Sequence, residues 1–145
     1  MKLRNIYNIT ICIFMLTLCL IGCDKLDENG KLDGNWQMTE WIQNNSGDTL
    51  AQKSDLLFYT IKLELIQFRN SKNGQLPYLA YFTYTGDSLF IGDVFSNTAN
   101  SDIPATTDDL KSFGVEDNGK FKIQKLTSSE MILQNNINTL YFRKY

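Results

Sequence analysis

The sequence predicts an all-β fold: an antiparallel up-and-down meander closing into a small β-barrel of about seven to eight strands. Three observations carry this. From Gly34 onward, short segments alternate apolar and polar residues with a period of two, the mark of a strand with one buried face. Turn residues punctuate these segments roughly every ten positions, as in an antiparallel meander. Neither of the two prolines falls inside a segment, so each can join a ladder.

The first segment runs from Trp36 to about Ile42. The second, Leu57 to Phe68, is long. Tyr59, Ile61, Leu63 and Leu65 share one face, Ile66 and Phe68 take the other, and the phase change predicts a bulge near Leu65. Glu64 is expected mid-strand on the solvent face. The third segment is Tyr78 to Thr85, followed by a turn at Gly86-Asp87 and a strand from Ser88 to Val94.

Residues 96–108 show no periodicity and read as a loop. Thr107 or Asp108 is expected to cap a short helical turn over Asp109–Phe113, ended by Gly114. Asp117-Asn118-Gly119 is a turn sequence. The cleanest alternation follows, with Phe121 and Ile123 opposing Lys120, Lys122 and Gln124. Met131–Leu133 and Thr139–Lys144 complete the set. An antiparallel sheet of this many strands disposes of its edges by closing into a barrel or pairing as a sandwich.

Ahead of this domain lie Lys2 and Arg4, an apolar run from about Ile9, and a glycine before Cys23. A basic start, an apolar stretch and a small residue before the cut define a secretory signal, here residues 1–22. Leu20-Ile21-Gly22-Cys23 resembles the bacterial lipobox, which implies that the Cys23 thiol carries lipid after cleavage. Residues 23–32 are expected as a lipidated tether and 33–145 as the barrel domain. The expected place is the cell envelope, on the outer rather than the inner membrane, with the membrane as a partner through Cys23.

The remaining cysteines, Cys12 and Cys19, lie within the signal, so the barrel has no disulfide, thiol nucleophile or Cys-based metal site. The chain has no histidine, which removes the commonest general base and metal ligand. No enzyme activity, metal or cofactor is expected, although carboxylate-only catalysis remains open. Sixteen acidic against 14 basic residues give a mildly acidic chain with no footprint for nucleic acid.

Gly34-Asn35-Trp36 opens the first strand and Arg143 lies in the last, Leu140–Lys144. This resembles the lipocalins and their calycin relatives, and the span Leu32 to Tyr145 resembles the small lipocalin-like lipoproteins of Bacteroides and related bacteria. The resemblance implies that Arg143 lies over the Trp36 indole and plugs one barrel end; the residues themselves equally allow Trp36 as a core residue and Arg143 as an exposed edge charge. A Thr-Asp-Tyr motif and a C-terminal helix, usual in the family, are missing.

The inward set is expected to be Trp36, Met38, Ile61, Leu63, Tyr81, Leu89, Ile91, Phe121, Ile123, Met131, Leu133, Leu140 and Phe142. These residues either line an apolar pocket or fill the interior, because about eight strands leave room for side chains or one small ligand. Asp108-Asp109 with Asp102 nearby lacks the order of a calcium loop and fits helix capping better. Asp48-Thr49-Leu50 and Asp87-Ser88-Leu89 resemble a short bacterial O-glycosylation motif. Two functions follow as expectations. One is a module binding a small apolar or amphipathic molecule. The other is an accessory lipoprotein with a packed barrel that docks an envelope protein.

Overall fold

The computed structural model describes residues 28–97 and 101–145; the signal segment and Cys23 lie outside them. The strands are β1 (Gly34–Gln43), β2 (Thr49–Gln52), β3 (Leu57–Lys62), β4 (Leu65–Asn70), β5 (Tyr78–Tyr84), β6 (Ser88–Asn97), β7 (Asp102–Pro104), β8 (Lys120–Leu126), β9 (Glu130–Gln134) and β10 (Asn138–Lys144). Eight of them close an antiparallel barrel. β1, β3, β4, β5, β6, β8, β9 and β10 pair in that order, and β10 returns to β1. Closure leaves no long open edge.

β1 and β6 lie on opposite sides of the ring, and each changes partner partway along. Gly34–Gln37 of β1 pairs with β3, whereas Glu40–Ile42 pairs with β2. Ser88–Phe90 of β6 pairs with β8, whereas Phe95–Asn97 pairs with β7. In each case an irregular segment parts the two partner strands: a 3₁₀ turn at Lys53–Asp55 in the first, and residues 105–119 in the second.

The interior is filled. Trp36, Met38, Tyr59, Ile66, Phe68, Ala80, Ile91, Met131, Leu133 and Leu140 have no surface that a water molecule could touch, from outside or within. The Tyr59 ring packs on Phe68 (centroids 4.6 Å apart) and on Phe142 (4.7 Å). Each such ring pair contributes about 0.5–1.5 kcal/mol beyond its burial.

Both ends are closed as well. At one end, Leu32 is the last residue of a single 3₁₀ turn and is fully buried, and its carbonyl accepts a hydrogen bond from Trp36 Nε1 at 2.8 Å. Leu32, expected as the last tether residue, therefore belongs to the barrel floor. At the other end, the 3₁₀ turn Thr107–Phe113 lays Leu110 and Phe113 over the interior, with Val115 just beyond. Phe113 packs on Phe68 and Tyr78 and accepts the Tyr59 hydroxyl at its carbonyl, 2.7 Å. Burial pushes the Tyr59 phenol far above its ordinary pKa, so it stays a neutral donor. Thr106 caps the turn, rather than Thr107 or Asp108 as expected, and Asp109 bonds back to its N–H at 2.8 Å.

The fold class, closure and most strand positions agree with the sequence reading. Several details do not. Leu57–Phe68 is a hairpin, with Leu63-Glu64 as its two-residue turn. Leu63 takes a left-handed conformation (φ 55°) and is 47% exposed, so it does not face inward. Glu64 is thus in a turn, not mid-strand. Tyr81 is also outside, 48% exposed, because Ala80 beside it is the fully buried residue and Phe82 and Tyr84 pack on the core. On β5 both faces are apolar, and the tighter-packed one is the other one. Residues 49–52, and 96–97 with 102–104, pair as strands where none was expected.

Candidate functional site

The register of β1 against β10 decides what covers Trp36. Trp36 stands directly opposite Lys144, and Gln37 opposite Arg143. Alternation then sends Lys144 to the Trp36 side and Arg143 to the outer wall. Lys144 Nζ lies 5.0 Å from the Trp36 ring centre. The expected stacking of Arg143 on Trp36 is therefore corrected: Lys144 is the cation there. Met38, Ile61, Leu89, Ile91, Phe121, Met131, Leu133, Leu140 and Phe142 are all buried inside, and Ile123 is partly buried against them.

Arg143 instead joins a row on the outer wall. The ladders place Arg69 of β4, Phe58 of β3, Gln37 of β1, Arg143 of β10 and Glu130 of β9 side by side. Gln37 is only 2% exposed although it faces outward. Its Oε1 accepts both Nε (2.9 Å) and an Nη (2.7 Å) of Arg143, and its Nε2 donates to the Lys53 carbonyl at 3.2 Å. Tyr145 covers the row, with its ring 5.4 Å from Phe58 and 5.6 Å from the Arg143 guanidinium. Arg69 lies 4.8 Å above Phe58.

Glu130, the acid beside Arg143 in the ladder, pairs with Lys125 instead. Among the described residues neither Arg69 nor Arg143 has a carboxylate at ion-pair distance. Where β2 and β3 part, this row opens into a groove of about 790 Å³, lined by Gln37, Thr39, Glu40, Gln52, Lys53, Ser54, Leu56, Phe58, Arg143 and Tyr145. Its 3₁₀ turn is fixed by Asp55, which accepts the Gln52 N–H at 2.9 Å and pairs with Lys72 at 3.0 Å. The Gln52 bond first, and Lys72 second, hold the Asp55 carboxyl below its ordinary pKa.

A second outer groove, about 590 Å³, lies over β6 and β8 and includes Phe90, Lys120, Lys122, Gln124 and Gln134. The remaining sequence candidates have structural roles. Asp109 caps the 107–113 turn and Asp108 pairs with Lys111 at 3.0 Å. Among the described residues no three acids come together as a metal site. Asp87 accepts the Ser88 hydroxyl at 2.8 Å within the β5–β6 turn.

The outer row has no local sequence signature. Gln37, Phe58, Arg69 and Tyr145 come together only through strand register, and Phe58 was hidden by its neighbour Tyr59 in an apolar run.

A closed eight-stranded meander with one Trp-sealed end defines a lipocalin-like barrel. A family model described as a lipocalin-like domain matches residues 16–145, and the chain belongs to that family. Solved structures agree. A lipocalin-like protein from Bacteroides uniformis is similar at a TM-score of 0.59 and 22% identity, over 80% of this chain and all of that one. An uncharacterized protein from Bacteroides eggerthii is similar at 0.54 and 26%, over 78% of this chain and 98% of that one. A protein from Burkholderia xenovorans shares the fold at 0.53 and 15% identity, over 86% and 92%. A comparison with curated proteins gives no match.

Proposed function

We propose that the protein is a non-enzymatic lipoprotein of the cell envelope, held on the outer membrane by lipid on Cys23, which recognises an envelope protein through its outer wall. One observation supports the recognition mode above all. The interior is packed from Leu32 at one end to Phe113 at the other, while the concave surfaces described above lie outside. A ligand entering the barrel would have to displace Phe113, Leu110 and their ring contacts. A partner on the outer wall displaces only water.

The test uses the full chain in its own host. Palmitate labelling that disappears in Cys23→Ala supports the anchor. A photo-cross-linker at Ser54 on the outer wall should trap one envelope protein in intact cells, and the same probe at Ser128, on the β8–β9 turn, should not. Absence of any adduct at the outer wall would defeat the docking reading.

One observation favours a second reading, the binding of a small amphipathic molecule. Trp41 Nε1 and Asn138 Oδ1 are both buried without a hydrogen-bond partner among the described residues. Both residues adjoin Gly114 at the Phe113 end. They offer one donor and one acceptor for a polar head group. A small molecule recurring at fixed stoichiometry in native mass spectra of the full chain would select this reading.

A further inference from the structure

We propose that the outer groove beside Arg143 is a carboxylate site, built to take an acidic side chain flanked by an aromatic or apolar residue in a partner's peptide segment. It rests on the reading above that the outer wall is the recognising surface, and it names the chemistry recognised there.

Gln37 holds the site in place. A glutamine that faces outward yet is 2% exposed costs free energy unless its amide is hydrogen-bonded. Three of its four bonding positions are used: Oε1 takes two Arg143 donors and Nε2 gives one hydrogen to the Lys53 carbonyl. The consequence is a guanidinium fixed along one edge by a neutral acceptor. Among the described residues Arg143 has no carboxylate partner, and three of its N–H donors are left, enough for a second, planar acceptor. Arginine binds carboxylates in this forked way, and donors already held in place lose less entropy on binding.

The surroundings select the ligand further. Tyr145 and Phe58 form an aromatic flank to the guanidinium, and Leu56 lies on the same wall. These suit an apolar neighbour of the carboxylate. Lys53 adds positive character, whereas Glu40 in the same lining disfavours a doubly charged anion. A single negative charge fits better than a phosphate dianion. The groove, about 790 Å³, is within the range of ligand pockets but open along the wall, which suits a chain segment.

The experiment titrates the full chain, in detergent, with the blocked dipeptide Asp-Phe, its neutral analogue Asn-Phe, benzoate and inorganic phosphate. The Gln37 side-chain amide and the Arg143 Nε–H are followed by NMR. Asp-Phe should bind at least tenfold tighter than Asn-Phe and shift both signals. The preference should fall at least tenfold in Arg143→Gln and stay unchanged in Lys120→Gln, on the other groove. Equal affinity for the two peptides, or a preference that survives Arg143→Gln, overturns the proposal. Benzoate binding as tightly as Asp-Phe overturns the peptide in favour of a free acid, and tighter phosphate binding overturns the carboxylate. Should Arg143→Gln not fold, unshifted Gln37 and Arg143 signals in the unaltered chain overturn the site just as well. A Ser54 cross-link to a partner that persists while the peptides fail refutes this site alone. Loss of both refutes the outer-wall reading too.

Discussion

Lys144 stands directly across the β1–β10 ladder from Trp36, with its Nζ 5.0 Å from the centre of the indole. The two residues seal the barrel end that Leu32 fills from below. Lys144 Nζ also donates to the Lys31 carbonyl at 3.2 Å, so the cation ties the floor segment to the last strand. Arg143, one position earlier, is held by Gln37 on the opposite side of the wall.

Lys144→Gln should therefore lower stability by about 0.5–1 kcal/mol, the range for a cation over an indole at a partly exposed site. It should also shift the Trp36 indole N–H resonance. Arg143→Gln should leave that resonance in place. The reverse pattern would return the plug to Arg143.

This pair shows how far the sequence could be read. Alternation marked β8, β9 and β10, since each has one clearly more apolar face; on β1 it marked Trp36 and Met38, but the register shift between Met38 and Glu40 then turns Trp41 inward. Leu140 and Phe142 were placed inside for that reason, and the same period puts Lys144 on their side and Arg143 on the other. The family pattern pointed to an arginine, and the register chose its neighbour. On β5 no such contrast exists: Leu79 and Tyr81 are as apolar as Ala80 and Phe82. Only packing against the rest of the barrel selects the buried face there. The outer groove was illegible for a deeper reason. It arises from strands distant in sequence, and its shape depends on the parting of β2 and β3 over a three-residue turn.

Leu63 carries a further lesson. A leucine at a left-handed turn position gives no turn signal, so the hairpin read as one bent strand. The conformation costs a residue with a Cβ roughly 1–2 kcal/mol. Asparagine tolerates it and suits a two-residue hairpin loop. Leu63→Asn should raise the urea midpoint by an amount equal to about 0.5–1 kcal/mol. A midpoint that falls would show that the exposed leucine has a contact role.

Gly119 closes the turn before β8 at φ 76°, where an added Cβ would lie 2.1 Å from the Ile91 carbonyl oxygen. Backbone cannot swing aside as a side chain can. Gly119→Ala should cost at least about 3 kcal/mol, the upper range for overpacking. Gly74→Ala is the control: its φ is also positive (64°), but among the described residues nothing lies within 4 Å of the added methyl. It should cost only about 1 kcal/mol. Equal losses in thermal melts would mean that conformation, not crowding, dominates at both sites.

Phe113 closes the second end of the barrel. Phe113→Ala should cost about 3–5 kcal/mol, as for other buried aromatic truncations. It should also open the interior beside Phe68 and Tyr78, measurable as new binding of an apolar dye under native conditions. Leu50→Ala, at an exposed β2 position, should do neither. Destabilisation without dye binding would mean that the remaining side chains collapse into the space.

The same plug gives the barrel a defined response to acid. The Thr106 backbone N–H, and secondarily its hydroxyl, hold the Asp109 carboxyl below its ordinary value of 3.8. A lowered folded-state pKa means that the unfolded chain takes up the proton first as pH falls. The stabilisation is therefore complete above about 3.8 and is lost as pH drops through the lower folded value. Because Asp109 caps the turn that carries Leu110 and Phe113, its protonation should loosen the plug ahead of the strands. Hydrogen exchange at the Gly114 amide, which bonds to the Leu110 and Lys111 carbonyls, should accelerate in this window relative to the β9–β10 amides. Asp109→Asn should give the faster exchange already at neutral pH and remove the acid step. An acid step of undiminished size in Asp109→Asn would assign the response to another carboxylate.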